Sequence, residues 1–249
     1  MTVHLVGAGP GDPQLLTCRG ASLLARAEHV VYDRPSMADL VALAPSAARR
    51  HLVGKSRGTV ALEQEQVNAL LVELGRAGGC VVRLKAGDPF VVSRGGEEAL
   101  ALAAAGVGFD VVPGISAAVA APAYAGIPVM VRQLSRVLTV VAGNDDPEYP
   151  GEVDWEAIGA LGGTIVVLTG RASLREIVAR LLAGGMAGDT PVAAVSAATR
   201  HTQRTVRGTL LDPPDARLPA PLTVVIGAVA GLDLGWHAEL AERTVDAHS

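Results

Sequence analysis

Four stretches of this 249-residue chain carry residue types and spacings suited to chemistry. The first is "VHLVGAGPGDPQLLT" (3–17), where an apolar run breaks into Gly7, Gly9 and Gly11. A strand, a glycine turn and a helix start are the usual frame for a nucleotide. The dinucleotide fingerprint wants glycine at its first, third and sixth positions, so that a pyrophosphate sits on the helix N-terminus. Here the sixth position is Asp12, whose carboxylate repels phosphate, and Pro10 removes a backbone N–H that a phosphate would use. The loop therefore suits close approach by something that is not an anion; a tight turn without a ligand is the alternative. The second is Asp33 with Arg34, at the end of the run "HVVYD" (29–33). A carboxylate there lies where ligands bind in open α/β sheets, and a helix cap or surface ion pair fits as well. The third, "RLKAGDPFVVSRGGEE" (83–98), offers Ala86 and Gly87 for approach to the backbone, Asp88 as an acceptor or a cap, and Arg94 as a carboxylate fork. The fourth, "VVPGISAAVAAPAYAGIP" (111–128), is a helix of small residues that either leaves room for a flat ligand or packs closely on a sheet.

The elements that must position these residues alternate. Apolar runs at 3–7, 29–33, 80–84 and 109–113 read as strands, with helical patterns at about 13–27, 62–77 and 95–105 between them. Asp12 is placed to cap a helix whose first turn carries Pro13. This alternation predicts a parallel sheet covered by helices. Beyond about residue 135, closely spaced strands follow at 136–143, 163–170, 190–199, 203–210 and 222–229, with a helix at 172–185. The short connections late in this series predict antiparallel pairing. The polar stretch 144–155 reads as a linker or surface loop. We expect two α/β domains, residues 1–125 and 126–232, followed by a tail at 233–249.

Composition excludes several classes. The net charge of −4 and an aromatic content of 3% argue against nucleic-acid binding, which needs a basic face and stacking platforms. Cys18 and Cys80 have no CxxC or zinc spacing and read as free thiols in a reducing cytoplasm. No signal peptide is evident, and no apolar run approaches the roughly 18 residues that span a membrane.

Taken in order, the stretches resemble the tetrapyrrole (corrin/porphyrin) methylase family. The matching segments are "LVGAGPGDPQLLT", "VVYDR", "VGK" (53–55), "VVRLKAGDPF", "RGGEE", "VVPGISAAVAAPAYAGIP", "DWEAI" and "DTPVAAVSAATRHTQRTVRGTL", spread over residues 3 to 230. The resemblance implies two α/β domains with a cofactor cleft between them, in a cytoplasmic homodimer. It implies S-adenosylmethionine as cofactor, without metal, and S-adenosylhomocysteine as product. The implied reaction is C-methylation of uroporphyrinogen III to precorrin-2, in sirohaem or cobalamin synthesis. Because no dehydrogenase–chelatase module is appended, it implies a methylase working alone. Position by position, the cofactor contacts fall on Pro10, Ala86, Gly87, Asp88, Val91, Ser116, Ala117, Thr169 and Ala198. Asp33 falls on the proposed proton acceptor and Lys55 on the proposed proton donor.

The acceptor side departs from the family. Its "GIPLTHR" is here "GIPVMVR" (126–132), so Met130 and Val131 replace Thr and His and Arg132 remains. Val60 replaces a histidine, and "FVVSRGG" (90–96) lacks the second aromatic of "FIFGRGG". On the cofactor side, Ala86, Thr169 and Ala198 stand where relatives often carry Gly, Met and Gly. A substrate with eight carboxylates needs cations, and Arg34, Arg57, Arg94 and Arg132 are the candidates, with Met130 lining the same pocket. Methyl transfer to a different acceptor, and cofactor binding without catalysis, are the alternative readings. Asp12 counts against an NAD-dependent dehydrogenase.

Overall fold

Near-continuous runs of Val and Leu suit strands buried on both faces. The computed structural model, which describes residues 2–55, 61–143, 153–214 and 218–236, arranges these runs as two five-stranded sheets. The first belongs to a compact unit ending at Ser116, and the second to a unit beginning at Ala117.

In the first unit, β1 (Thr2–Gly7), β2 (His29–Tyr32), β3 (Arg49–Leu52), β4 (Cys80–Lys85) and β5 (Phe109–Val112) lie in the order β3-β2-β4-β1-β5. Every pairing is parallel, so all five C-terminal ends share one edge. Helices α1 (Cys18–Leu24), α2 (Ala38–Val41), α3 (Gln64–Ala77) and α4 (Gly95–Ala104) connect them. In α3 a capping box between Glu63 and Gln66 fixes the start, and Val67, Leu71 and Leu74 form its buried stripe. The expected helix at 13–27 is two elements. Asp12 caps a 3-10 turn at Pro13–Leu15, and Thr17 then caps α1 by accepting from the Gly20 N–H. Strand β3 escaped the sequence reading because "RRHL" is charged and half exposed at the sheet edge, with no apolar alternation to mark it.

In the second unit, β6 (Leu138–Ala142), β7 (Thr164–Leu168), β8 (Pro191–Ser196), β9 (Arg204–Thr209) and β10 (Leu222–Ile226) lie in the order β6-β7-β10-β8-β9. Only β6 and β7 pair in parallel; β8 and β9 pair antiparallel across their short connection as expected, whereas β10 pairs antiparallel with β8 and β7 instead of with β9. Helices α5 (Ala117–Tyr124), α6 (Trp155–Leu161) and α7 (Leu174–Ala183) complete it. The unit begins earlier than the expected boundary at 125/126. Ala118, Ala121 and Ala125 of α5 and its exit pack into one cluster with Val166, Val195 and Val225 of the second sheet. Of the expected linker, 144–152 lies outside the described residues, and Asp154 caps α6 through the Ala157 N–H at 2.9 Å. The expected tail also begins inside the unit. Trp236 Nε1 donates to the Ala123 carbonyl at 2.9 Å, and the Leu234 N–H donates to the Gly126 carbonyl at 3.0 Å. Residues 237–249 lie outside the description.

At the shared edge of the first sheet, three backbones meet without side chains between them. A Cβ on Gly7 would stand 2.5 Å from Gly114 Cα, and one on Gly114 would stand 2.2 Å from the Gly87 carbonyl oxygen. Backbone cannot yield as a flexible side chain can, so Gly114→Ala should cost about 1–3 kcal/mol of stability in urea unfolding. Gly96 is the control. It is helical and a Cβ there meets nothing within 4 Å, so Gly96→Ala should stabilise by about 0.5–1 kcal/mol. Equal effects of the two substitutions would show that backbone crowding is not the constraint.

Candidate active site

The candidate residues of the first unit all follow strand C-termini, the edge where open α/β sheets bind ligands. The loop after β1 is zipped to the loop after β4. The Gly9 N–H donates to the Gly87 carbonyl at 3.1 Å, and the Gly87 N–H donates back to Gly9 at 2.9 Å. Asp88 staples this pair to the segment after β5. Its Oδ1 accepts from the Phe90 N–H at 2.8 Å and its Oδ2 from the Gly114 N–H at 2.9 Å. The glycines thus make room first for one another, and Asp88 is an architectural acceptor as well as a ligand candidate. Pro10 and Gly87 are half-buried, and Ala86 and Val91 are exposed beside them. Ser116 closes the segment after β5.

Asp33 follows β2 and Lys55 follows β3, the neighbouring strand. Gly54 lets the exit of β3 pass against the backbone of Asp33, since a Cβ there would stand 1.8 Å from the Asp33 carbonyl oxygen. Beneath Asp33 lies a buried cluster of charge. Arg83 Nη2 donates to Asp33 Oδ1 at 2.6 Å and to Glu98 Oε1 at 2.8 Å, while Arg83 Nε reaches the same Oε1 at 3.1 Å. Lys85 Nζ adds a bond to that oxygen at 2.8 Å. The side chains of Arg83, Lys85 and Glu98 are 2%, 4% and 0% exposed, whereas Asp33 is 31% exposed, so the chain of charge runs from interior to surface. Burial pushes the Glu98 carboxyl up, but the Arg83 and Lys85 charges outweigh it and hold the group below its ordinary range. Burial, and then the Arg83 charge, press the Lys85 ammonium below the ordinary lysine range. Asp33 and Glu98 outweigh the burial of Arg83 and keep its guanidinium charged.

Arg83, Lys85 and Glu98 were not singled out from the sequence. The signal was there. In "CVVRLK" two cations two residues apart fall on one face of a strand whose other residues are apolar, and such charges need a buried partner. Of the arginines that were singled out, Arg94 is occupied. Its Nε and Nη2 grip both Glu97 carboxylate oxygens at 2.9 Å in a half-exposed pair. Arg34 is exposed before the 3-10 turn at Pro35–Met37. Arg57 and Val60 lie outside the described residues.

In the second unit Ala117, Thr169 and Ala198 converge. Thr169 follows β7 and Ala198 follows β8, and both strands end beside the start of β10. Ala117 and Ala198 join one apolar cluster with Leu168. Gln203 ties the loop after β8 to α5, accepting from the Thr199 N–H and donating to the Tyr124 carbonyl, each at 2.8 Å. Thr169, Ala197 and Thr199 hold left-handed φ values of +61°, +47° and +67°, as do Val92 beside Val91 at +48° and Gln133 beside Arg132 at +75°. Such backbone costs about 1–3 kcal/mol at each residue and clusters at functional sites. Met130 and Arg132 line a cavity of about 550 Å³ with Val131, Gln133, Ser135 and Arg136. Arg136, which the sequence reading passed over as the start of a strand, adds a second cation to that lining.

Over residues 2–214 the chain matches the family of tetrapyrrole (corrin/porphyrin) methylases. It is 43% identical, over 92% of both chains, to an S-adenosyl-L-methionine-dependent uroporphyrinogen III methyltransferase of Methanosarcina barkeri. It is 41% identical to a siroheme synthase of Photorhabdus laumondii over 94% of this chain, and spans about half (51%) of that longer protein. A crystal structure of uroporphyrin-III C-methyl transferase from Thermus thermophilus, complexed with S-adenosylhomocysteine, superposes with a TM-score of 0.79 at 34% identity, covering 93% of this chain and 94% of that one. With fold, strand-end loops and sequence in agreement, the chain belongs to the tetrapyrrole (corrin/porphyrin) methylase family.

Proposed function

We propose that this protein transfers methyl groups from S-adenosylmethionine to ring carbons of uroporphyrinogen III, giving precorrin-2. The observation that carries the reading is the near full-length likeness to a uroporphyrinogen III methyltransferase. The donor set suits the cofactor. Asp12, Asp88 and the N–H-less Pro10 frame the glycine loops, a setting hostile to phosphate and compatible with a sulfonium ligand that has none. The residues that would hold it are Pro10, Ala86, Gly87, Asp88, Val91, Ser116, Ala117, Thr169 and Ala198. When bound, it supplies a methyl group already activated by its sulfonium, so the protein's work is alignment and charge.

Asp33 is read as the proton acceptor. A pyrrole carbon that gains a methyl becomes cationic, and a fixed carboxylate both stabilises that charge and takes the ring proton released afterwards. Lys55, on the neighbouring strand end, is read as the proton donor. Arg132 is read as a partner for acceptor carboxylates, with Arg136 beside it. We further take the working form to be a cytoplasmic homodimer, a reading that rests on the family resemblance. No described helix is long and apolar enough to cross a membrane. Met130 and Val131 favour a second reading, the same transfer to a less acidic acceptor, because they give the cavity an apolar wall.

Two outcomes follow. S-adenosylhomocysteine should raise the melting temperature by mass action on the folded state, and NAD should not. A shift with NAD alone would contradict the cofactor assignment. Arg132→Ala should raise KM for uroporphyrinogen III roughly tenfold or more, as expected for losing a charged hydrogen bond, with S-adenosylhomocysteine affinity unchanged. An unaltered KM would remove Arg132 from the acceptor site and favour the apolar reading.

A further inference from the structure

We propose that Glu98 is a positioning residue for methyl transfer: by locking the Arg83 guanidinium from below, it fixes where Asp33 presents its carboxylate. The proposal rests on the reading of Asp33 as proton acceptor.

The geometry is specific. Glu98 Oε1 receives both Arg83 Nε (3.1 Å) and Arg83 Nη2 (2.8 Å), which pins one edge of a planar group. Nη2 carries two hydrogens. With one on Glu98, the direction of the other is set, and Asp33 Oδ1 lies on it at 2.6 Å. Lys85 Nζ, also on Oε1, holds Glu98 in turn. Gln64 Nε2, from α3, stands 3.4 Å from the same oxygen. Asp33 sits in the turn after a short strand and is partly open to solvent, so without Arg83 its rotamer would be free.

Stability alone does not account for the cluster. Ions withdrawn from water lose hydration that their mutual attraction often fails to recover, and apolar side chains of similar volume commonly serve as well. This cluster is also incompletely satisfied. Arg83 Nη1 and Glu98 Oε2 are buried without a hydrogen-bond partner among the described residues. Toward solvent, the cluster reaches Asp33 through Arg83 and, by a longer contact, Gln64 of α3 through Glu98; the Asp33 bond is the shorter of the two.

The test is a double-mutant cycle on the full chain, with S-adenosylmethionine and uroporphyrinogen III as substrates. Glu98→Gln should lower kcat roughly tenfold or more, the scale on which small misplacements act, and leave S-adenosylhomocysteine affinity within about twofold. In an Asp33→Asn background the same substitution should change kcat no further, because Glu98 acts through Asp33. If Glu98→Gln fails to fold, Glu98→Asp carries the same cycle, since it keeps the charge and withdraws it by one methylene. Full turnover in the Glu98 variants, or losses that multiply independently of Asp33, would overturn the proposal. An Asp33→Asn protein as active as the wild type would overturn the reading of Asp33 and the proposal together.

Discussion

Much of the architecture depends on one close approach. Gly7, Gly87 and Gly114 bring three strand exits within backbone contact, and Asp88 fastens the β4 exit to the β5 exit through Oδ2 while Oδ1 braces its own loop. No side chain fits between those exits. A consequence is that the loops after β1, β4 and β5 form one rigid ledge, on which Pro10, Ala86 and Ser116 have fixed places. The glycines that looked in sequence like room for a ligand are room for the protein itself. Any ligand then meets a surface already set, which lowers the ordering cost of binding.

A second constraint runs beneath that edge. The fold places Arg83 and Lys85 on one face of a buried strand and, among the described residues, sets one fully buried carboxylate, Glu98, against both. One carboxylate cannot balance two cations. The remaining positive charge is met by Asp33, at the boundary with solvent. The electrostatics of the interior and the chemistry of the surface are thereby joined through one guanidinium. Lys85 bears the strain of this arrangement, with burial and Arg83 both disfavouring its charged form.

The parallel sheet of the first unit was legible in its Val-rich runs, because strands buried on both faces leave an unbroken apolar signature. The antiparallel pairing of β8 with β9 was legible in their short connection, whereas the place of β10 between β7 and β8 was not. Strand β3 was not, since an edge strand carries no such signature and "RRHL" reads as polar loop. Helix α5 was recognised, but its side of the boundary was not, because a run of alanines says little about which sheet it packs on. Asp33 could be named as a candidate from its place at a strand end, and Lys55 from the family resemblance. The partners of Asp33 could not, since Arg83 and Glu98 lie 50 and 65 positions from it in sequence and meet only through topology. Arg94 was named as a substrate candidate because arginine forks bind carboxylates, and its pairing with Glu97, one helical turn away, was not foreseen.

Methyl transfer to a tetrapyrrole is the proposal on which the roles of Asp33 and Glu98 depend. The most direct measurement is anaerobic incubation of the purified protein with uroporphyrinogen III and S-adenosylmethionine bearing a deuterated methyl group, followed by mass analysis of the tetrapyrrole. The expected result is uptake of label into ring carbons with a matching yield of S-adenosylhomocysteine. Tight binding of S-adenosylhomocysteine with no label in the tetrapyrrole would contradict it.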